Sequence, residues 1–166
     1  MQALKFNNQF TLGLPGDPND SRAERLISNA LFARVAPKKP ASPYLIHYSP
    51  EVAAEIGLDI SECAGKDFVD LFSGSKIMPG MDPHATCYGG HQFGNWAGQL
   101  GDGRAINLGE IDTEKGHLML QLKGAGPTPF SRNADGFAVL RLSLIHISEP
   151  TRLLSIAYGG VWVEKK

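Results

Sequence analysis

Tyr88-Gly89-Gly90-His91-Gln92-Phe93-Gly94-Asn95-Trp96-Ala97-Gly98-Gln99-Leu100-Gly101-Asp102-Gly103-Arg104 is a glycine-dense segment that runs into an apolar stretch beginning near Ala105. Ala105 to Ile111 alternates and predicts a strand, 112–116 a turn, and His117 to Lys123 the returning strand. Glycine is costly to order, so a cluster of it marks positive-φ turns or close backbone approach. More than half of the 19 glycines fall between Gly89 and Gly136. If the two strands pair as a hairpin, the start of the first lies beside the end of the second, which brings Arg104 and Lys123 to one edge.

Those ingredients suit an anion. The backbone N–H groups of Gly101 and Gly103 can approach phosphate oxygens, Arg104 offers a planar fork, and Lys123 offers a compact ammonium. Asp135-Gly136, in the breaker-rich loop that follows Lys123, can add a backbone contact. The same residues have plainer readings. A lone Gly-x-Gly is compatible with a simple turn, a strand-end lysine with a solvated edge guard, and neither the Walker pattern nor the dinucleotide fingerprint is present. His91 reads as a structural histidine bonded to loop backbone, Phe93 and Trp96 as core anchors, and Glu110 as a strand-edge carboxylate.

Upstream, residues 1–20 read as an irregular arm pinned by Phe6 and Phe10. Ser21 and Glu24 have capping-box spacing and predict a helix with Leu26, Ile27, Ala30 and Leu31 on its apolar face. Pro37, Pro40 and Pro43 enforce an extended connection, and Tyr44 to Tyr48 is a short strand candidate. Ser49-Pro50-Glu51 opens a helix that Gly57 ends, and a second helix covers Lys66 to Phe72. Beyond the loop, Phe137, Val139 and Leu140 look like the opening of a further helix.

The chain of 166 residues is long enough for one domain with a real core. A net charge of −1 gives no electrostatic case for nucleic acid or an anionic membrane. No apolar run is long enough to span a bilayer, no secretory signal is visible, and Cys63 and Cys87 form no metal or disulfide pattern; a cytoplasmic location with two half-buried thiols is the expectation.

The run from Tyr88 to Ala105 closely resembles the selenoprotein O family, also called YdiU. So do Leu122-Lys123-Gly124-Ala125-Gly126, Ser131-Arg132, Asp135-Gly136 and Ala138 to Arg141, and upstream Ala33 to Pro37, Pro43 to Leu45 and Val52 to Leu58, so that the resemblance covers nearly all of residues 5–141. The resemblance implies an α+β, protein-kinase-like fold that binds ATP in a flipped orientation. Such an enzyme transfers AMP to Ser, Thr or Tyr hydroxyls of protein substrates with a divalent metal, Mg²⁺. Carried over by position, Gly101, Gly103, Arg104, Lys123, Asp135 and Gly136 contact ATP, with Lys123 as counterpart of the kinase strand-three lysine. Residues 1–87 would be a family-specific N-terminal extension and 88–141 the glycine-rich loop and hairpin of the small lobe. Phe137 departs from the family, which has a basic residue there.

The resemblance stops at Arg141. The family's next helix carries a glutamate where this chain has His146, and its base and metal ligands would lie in a large lobe that this chain lacks. Catalytic residues and metal ligands are therefore expected outside this chain, and the fragment alone is expected to be inactive. Leu142 to Arg152 instead reads, in one frame, as the translation of a transposase adaptor used in sequencing libraries, so residues 142–166 are expected to be a non-native tail.

Overall fold

The computed structural model describes residues 4–137, an α+β fold built on a mixed sheet. The expected helix opening at Val139 and Leu140, and the tail from 142, lie outside the described residues. In chain order the elements are α1 (Gln9–Gly13), β1 (Gly16–Asp17), β2 (Phe32–Arg34), α2 (Pro50–Glu55), α3 (Ile60–Cys63), α4 (Lys66–Phe72), β3 (His84–Gln92), β4 (Asn95–Gly101), β5 (Ala105–Thr113) and β6 (Gly116–Lys123). The sheet order is β1-β2-β3-β5-β6, with β4 paired to β3 off that path. Among the described residues only β1 and β2 run parallel; every other strand pairing is antiparallel.

The β5–β6 hairpin forms as the alternation predicts, with Ala105 opposite Lys123 and Thr113 opposite Gly116. β5 is an interior strand, flanked by β3 and β6, and is buried from Ala105 to Ile111. One apolar cluster gathers Ala33, Val35, Ala85, Ile106 and Phe130; a second packs α2–α4 through Ala53, Cys63, Phe68 and Leu71 against Ile111. Both cysteines are buried, deeper than the half-burial expected, and burial pushes the Cys87 thiol up.

Local signals decide α2 and α4. The Ser49 hydroxyl accepts a hydrogen bond from Val52 N, Pro50 sits at the first helical position, and Gly57 at φ 81 ends the turn. The sequence pattern misses α3, which is held by a reciprocal capping box between Asp59 and Glu62.

Three expectations fail. No helix forms from Ser21, because local side chains capture the backbone first. The Arg25 guanidinium binds the Asp17 carboxylate and the carbonyls of Asn19, Ser21 and Ala23, while Ser21 Oγ accepts from Ala23 N. Asn29 then turns left-handed at φ 57, and the chain enters β2 instead. Leu26, assigned to a buried face, is 85% exposed. Tyr44 to Tyr48 is not a strand: it has no ladder partner among the described residues, and of the five only Tyr48 reaches the core, against Phe68. The arm, described from residue 4 to residue 20, is more ordered than expected, with α1, β1 and a bridge from Phe6 to Ile111.

The glycine-dense stretch is the largest revision. It is not a loop but the upper half of β3 and the whole of β4, joined by the two-residue turn Phe93-Gly94 with both φ positive (53 and 80). That is the mirror-image turn that matches strand twist. β3 crosses residue 87, the expected boundary of the N-terminal extension. Its first residues pair with β2 and β5, Cys87 N still donates to the Leu31 carbonyl at 2.8 Å, and beyond Cys87 its ladder partner among the described residues is β4, so the β3–β4 hairpin projects from the main sheet. Among the described residues no helix is long and apolar enough to cross a membrane.

At the far end of the β5–β6 hairpin, the two ring nitrogens of His117 face two carboxylates, Asp112 at 2.7 Å and Glu110 at 3.1 Å. The hydrogen bond to Asp112 leads in raising His117 above its usual 6.5, and the same bond leads in lowering Asp112 below 3.8. A raised histidine stabilises fully below pH 6.5 and loses that contribution as pH rises through its folded-state value. A lowered aspartate stabilises above 3.8 and loses it as pH falls through its folded-state value. Full support for the hairpin therefore spans pH 3.8 to 6.5. His117→Gln is expected to flatten the pH dependence of the melting temperature above pH 6.5, measured by circular dichroism; an unchanged profile would assign that dependence elsewhere.

Candidate functional site

Where the β3–β4 hairpin leaves the sheet, a cleft of about 690 Å³ opens between β4, the arm at 24–26 and the loop at 129–134. Gly101, Gly103 and Arg104 line it, as do Tyr88, Gln92 and Arg132. The register of β5 and β6 sets Lys123 opposite Ala105, next to Arg104, and Gly124 N donates to the Arg104 carbonyl at 2.7 Å. The hairpin thus brings the two cations to one edge of the sheet, although Arg104 lines the cleft and Lys123 does not.

The remaining predicted contacts have local structural roles. The Asp135 carboxylate accepts from Phe137 N at 2.8 Å. Gly136 lies against Gly126, whose N–H donates to the Gly136 carbonyl, and a Cβ at Gly136 would fall 2.5 Å from Pro127 N. Among the described residues Asp135 and Gly136 do not line the cleft.

The glycines at 101 and 103 have a cause that spacing alone does not reveal. A Cβ on Gly101 would lie 2.7 Å from the Thr86 carbonyl oxygen and against the Phe130 ring; one on Gly103 would lie 2.7 Å from the Phe130 carbonyl oxygen. The loop after Lys123 folds back onto this turn and fills the space a side chain would need. A buried polar latch holds it there. Thr128, fully buried, donates its hydroxyl to the Asp102 carbonyl at 2.7 Å and accepts from Phe130 N. Ser131 Oγ donates to the Gly103 carbonyl at 2.6 Å and accepts from Thr128 N at 2.8 Å. The Asp102 carboxylate accepts from Thr86 N and from the Thr86 hydroxyl. Thr128, Ser131 and Asp102 escape sequence reasoning because their partners are distant in the chain; the only local cue is their position beside glycine and proline breakers.

The hairpin also departs from expectation in its aromatics. Phe93 is 95% exposed at the turn and Trp96 65% exposed, so neither anchors the core. His91 packs edge-on to Trp96 with ring centroids 5.2 Å apart. Glu110 is buried rather than at an edge, accepting from Phe10 N at 2.6 Å and facing His117. Burial, followed by the Asp102 charge, pushes the Tyr88 phenol up, which keeps it a neutral donor at the cleft wall. Gln99 clamps the arm across β4, its amide accepting from Ile27 N at 2.9 Å and donating to Ile27 O at 2.5 Å.

Comparison with known proteins gives this arrangement relatives. The family model for "Protein adenylyltransferase SelO" matches residues 20–153, a span that passes Arg141. A protein from Flavobacterium johnsoniae, named protein nucleotidyltransferase YdiU, is 49% identical over 96% of this chain. YdiU proteins of Aromatoleum aromaticum and an Azoarcus species are 55% and 53% identical over 87% and 96% of it. The chain spans only 28% to 33% of the length of these three relatives. With the family model covering most of its residues and relatives this similar along nearly all of it, the chain belongs to the SelO family of protein nucleotidyltransferases.

Proposed function

We propose that this chain carries the glycine-rich half of the ATP site of a protein adenylyltransferase. Its sheet is the counterpart of a kinase-like small lobe. Membership of a nucleotidyltransferase family carries the reading, and the adjacency of Arg104 and Lys123 at the mouth of the hairpin supports it. In the reaction, a Ser, Thr or Tyr hydroxyl of a protein substrate attacks the α-phosphorus of ATP. The bond to the bridging oxygen breaks, pyrophosphate leaves, and the hydroxyl proton passes to a base outside this chain. Arg104 and Lys123 meet the charge on the phosphates, the first as a planar fork and the second as a point charge. Gly101 and Gly103 line the cleft beside Arg104, and Asp135 and Gly136, outside the cleft in the ligand-free fold, are assigned the remaining nucleotide contacts from the adjoining loop. Mg²⁺ would accompany ATP and offset phosphate charge; among the described residues no group of three or more His, Cys, Asp or Glu is placed to hold a metal ion.

The test uses a full-length protein bearing this sequence and ATP labelled on either the α- or the γ-phosphate. Retention of the α-label on protein is the expected result, and Lys123→Ala should reduce it by about a hundredfold or more. Retention of the γ-label would make the protein a kinase-type phosphotransferase; ATP binding without transfer would make it a non-catalytic nucleotide module. The 166-residue chain alone should transfer no AMP. Residues 142–166 are proposed to be read-through into adaptor sequence, and a continuous reading frame through them in independent clones would overturn that.

A further inference from the structure

We infer that Arg132 is a second phosphate-binding arginine of this cleft, held by a neutral stand-in, Gln92, until an anion arrives. The inference rests on the nucleotide-binding reading and adds to it a residue that spacing did not single out. Arg132 lines the same cleft as Arg104, and its Nη1 donates to Gln92 Oε1 at 2.6 Å.

Its backbone explains how it gets there. Arg132 sits at φ 54 and Asn133 at φ 63. Asparagine tolerates the left-handed region because its short amide can bond locally; arginine has no such compensation. The conformation persists because the neighbours are fixed. Ser131 is buried and tied to Gly103 by the latch, Ala134 N donates to the Ser131 carbonyl at 3.0 Å, and Asn133 N donates to the Glu24 carboxylate. The latch that shapes the Gly101–Gly103 turn therefore also delivers the Arg132 side chain to the cleft. Strain maintained by surrounding structure at a cleft is the pattern expected of a functional position.

The electrostatics point the same way. Arg25, Arg104 and Arg132 line the cleft, with Glu24 as the carboxylate among them. Arg25 is committed to Asp17 at 2.8 Å, and Glu24 is occupied by the Asn133 N–H. Among the described residues Arg132 has only an uncharged amide as partner, and it is solvent-exposed. A phosphate oxygen is the stronger acceptor, because a charge-assisted pair with arginine outweighs a bond to a neutral amide and can be bidentate. Gln92 is the last residue of β3, beside the Phe93-Gly94 turn. Displacing it releases the tip of the hairpin from the loop as the anion binds.

The chain is titrated with ATP, inorganic tripolyphosphate and adenosine. Arg132→Ala should weaken ATP and tripolyphosphate by about tenfold, the loss of one charge-assisted contact, and leave adenosine unchanged. Gln92→Ala should leave phosphate affinity unchanged or raise it, since it removes a competitor. Arg132→Gly guards against misfolding. It relieves the left-handed strain, so it should melt no lower than the parent chain while losing the same phosphate affinity. If Arg132→Ala and Arg132→Gly bind like the parent while Lys123→Ala binds ATP weakly, the inference falls and the nucleotide reading stands. If Arg132→Ala and Gln92→Ala weaken binding equally, their bond is a structural clasp and the inference falls. If neither this chain nor a full-length protein bearing residues 1–141 binds ATP or tripolyphosphate, both readings fall.

Discussion

Gly101→Ala is expected to lower the melting temperature by roughly 10 °C without any nucleotide present, a loss of about 3 kcal/mol. The new Cβ would meet two neighbours that cannot retreat. One is the Thr86 carbonyl oxygen at 2.7 Å, in the part of β3 that pairs with β2. The other is the Phe130 ring, buried in the first apolar cluster. Moving Phe130 strains Thr128 and Ser131, whose hydroxyls bond to the Asp102 and Gly103 carbonyls, so the cost spreads into the latch. Differential scanning fluorimetry of the ligand-free chain measures it. A melting temperature within 2 °C of the parent, combined with lost ATP affinity, would instead mean that this glycine serves the ligand alone.

Phe32→Ala is expected to cost about 3–5 kcal/mol, a large share of the ~5–15 kcal/mol by which domains of this size are stable. Phe32 is fully buried, with ring centroids 5.7 Å from Phe10 and 5.4 Å from His84, and the Arg34 guanidinium stands 5.2 Å from its face. Its ring also occupies the space where Gly16 would carry a side chain. One side chain thus joins α1, β1, β2 and the start of β3, and its removal leaves a cavity among groups that the backbone pins in place. Urea denaturation should show a lower midpoint with an unchanged slope. Amide exchange should accelerate first in residues 9–17, the segment that Phe32 ties to the sheet. A midpoint unchanged within error would mean that the arm is not part of the cooperative unit.

Legibility from sequence followed the range of the interactions. Ser49, Pro50 and Gly57 announce α2 because a cap, a preset φ and a left-handed stop all act within a turn of the helix. The alternation from Ala105 to Lys123 announces β5–β6 because its two strands are joined by a short turn. The same local logic misled at Ser21, where a capping-box spacing is present but the Arg25 guanidinium takes the carbonyls that a helix would use. It misled at Tyr44 to Tyr48, where an apolar run lacks a partner strand. The glycine-dense stretch at 88–104 predicts a loop, because clustered glycine marks turns and close backbone approach. It forms strands here because close packing against Trp96 and Phe130 requires residues without side chains.

The sequence by itself determined the family, the β5–β6 hairpin and the register that sets Lys123 opposite Ala105, next to Arg104. Each rests on a long motif or on pairing between adjacent strands, which the order of residues specifies. Only the tertiary structure decided that Gly101 and Gly103 are glycines to admit the loop at 127–131, that Thr128 and Ser131 lock that loop, and that Arg132 reaches the cleft. Those facts depend on packing between segments separated in the chain, and close packing of this kind is set by the shape of the assembled neighbours rather than by any local pattern.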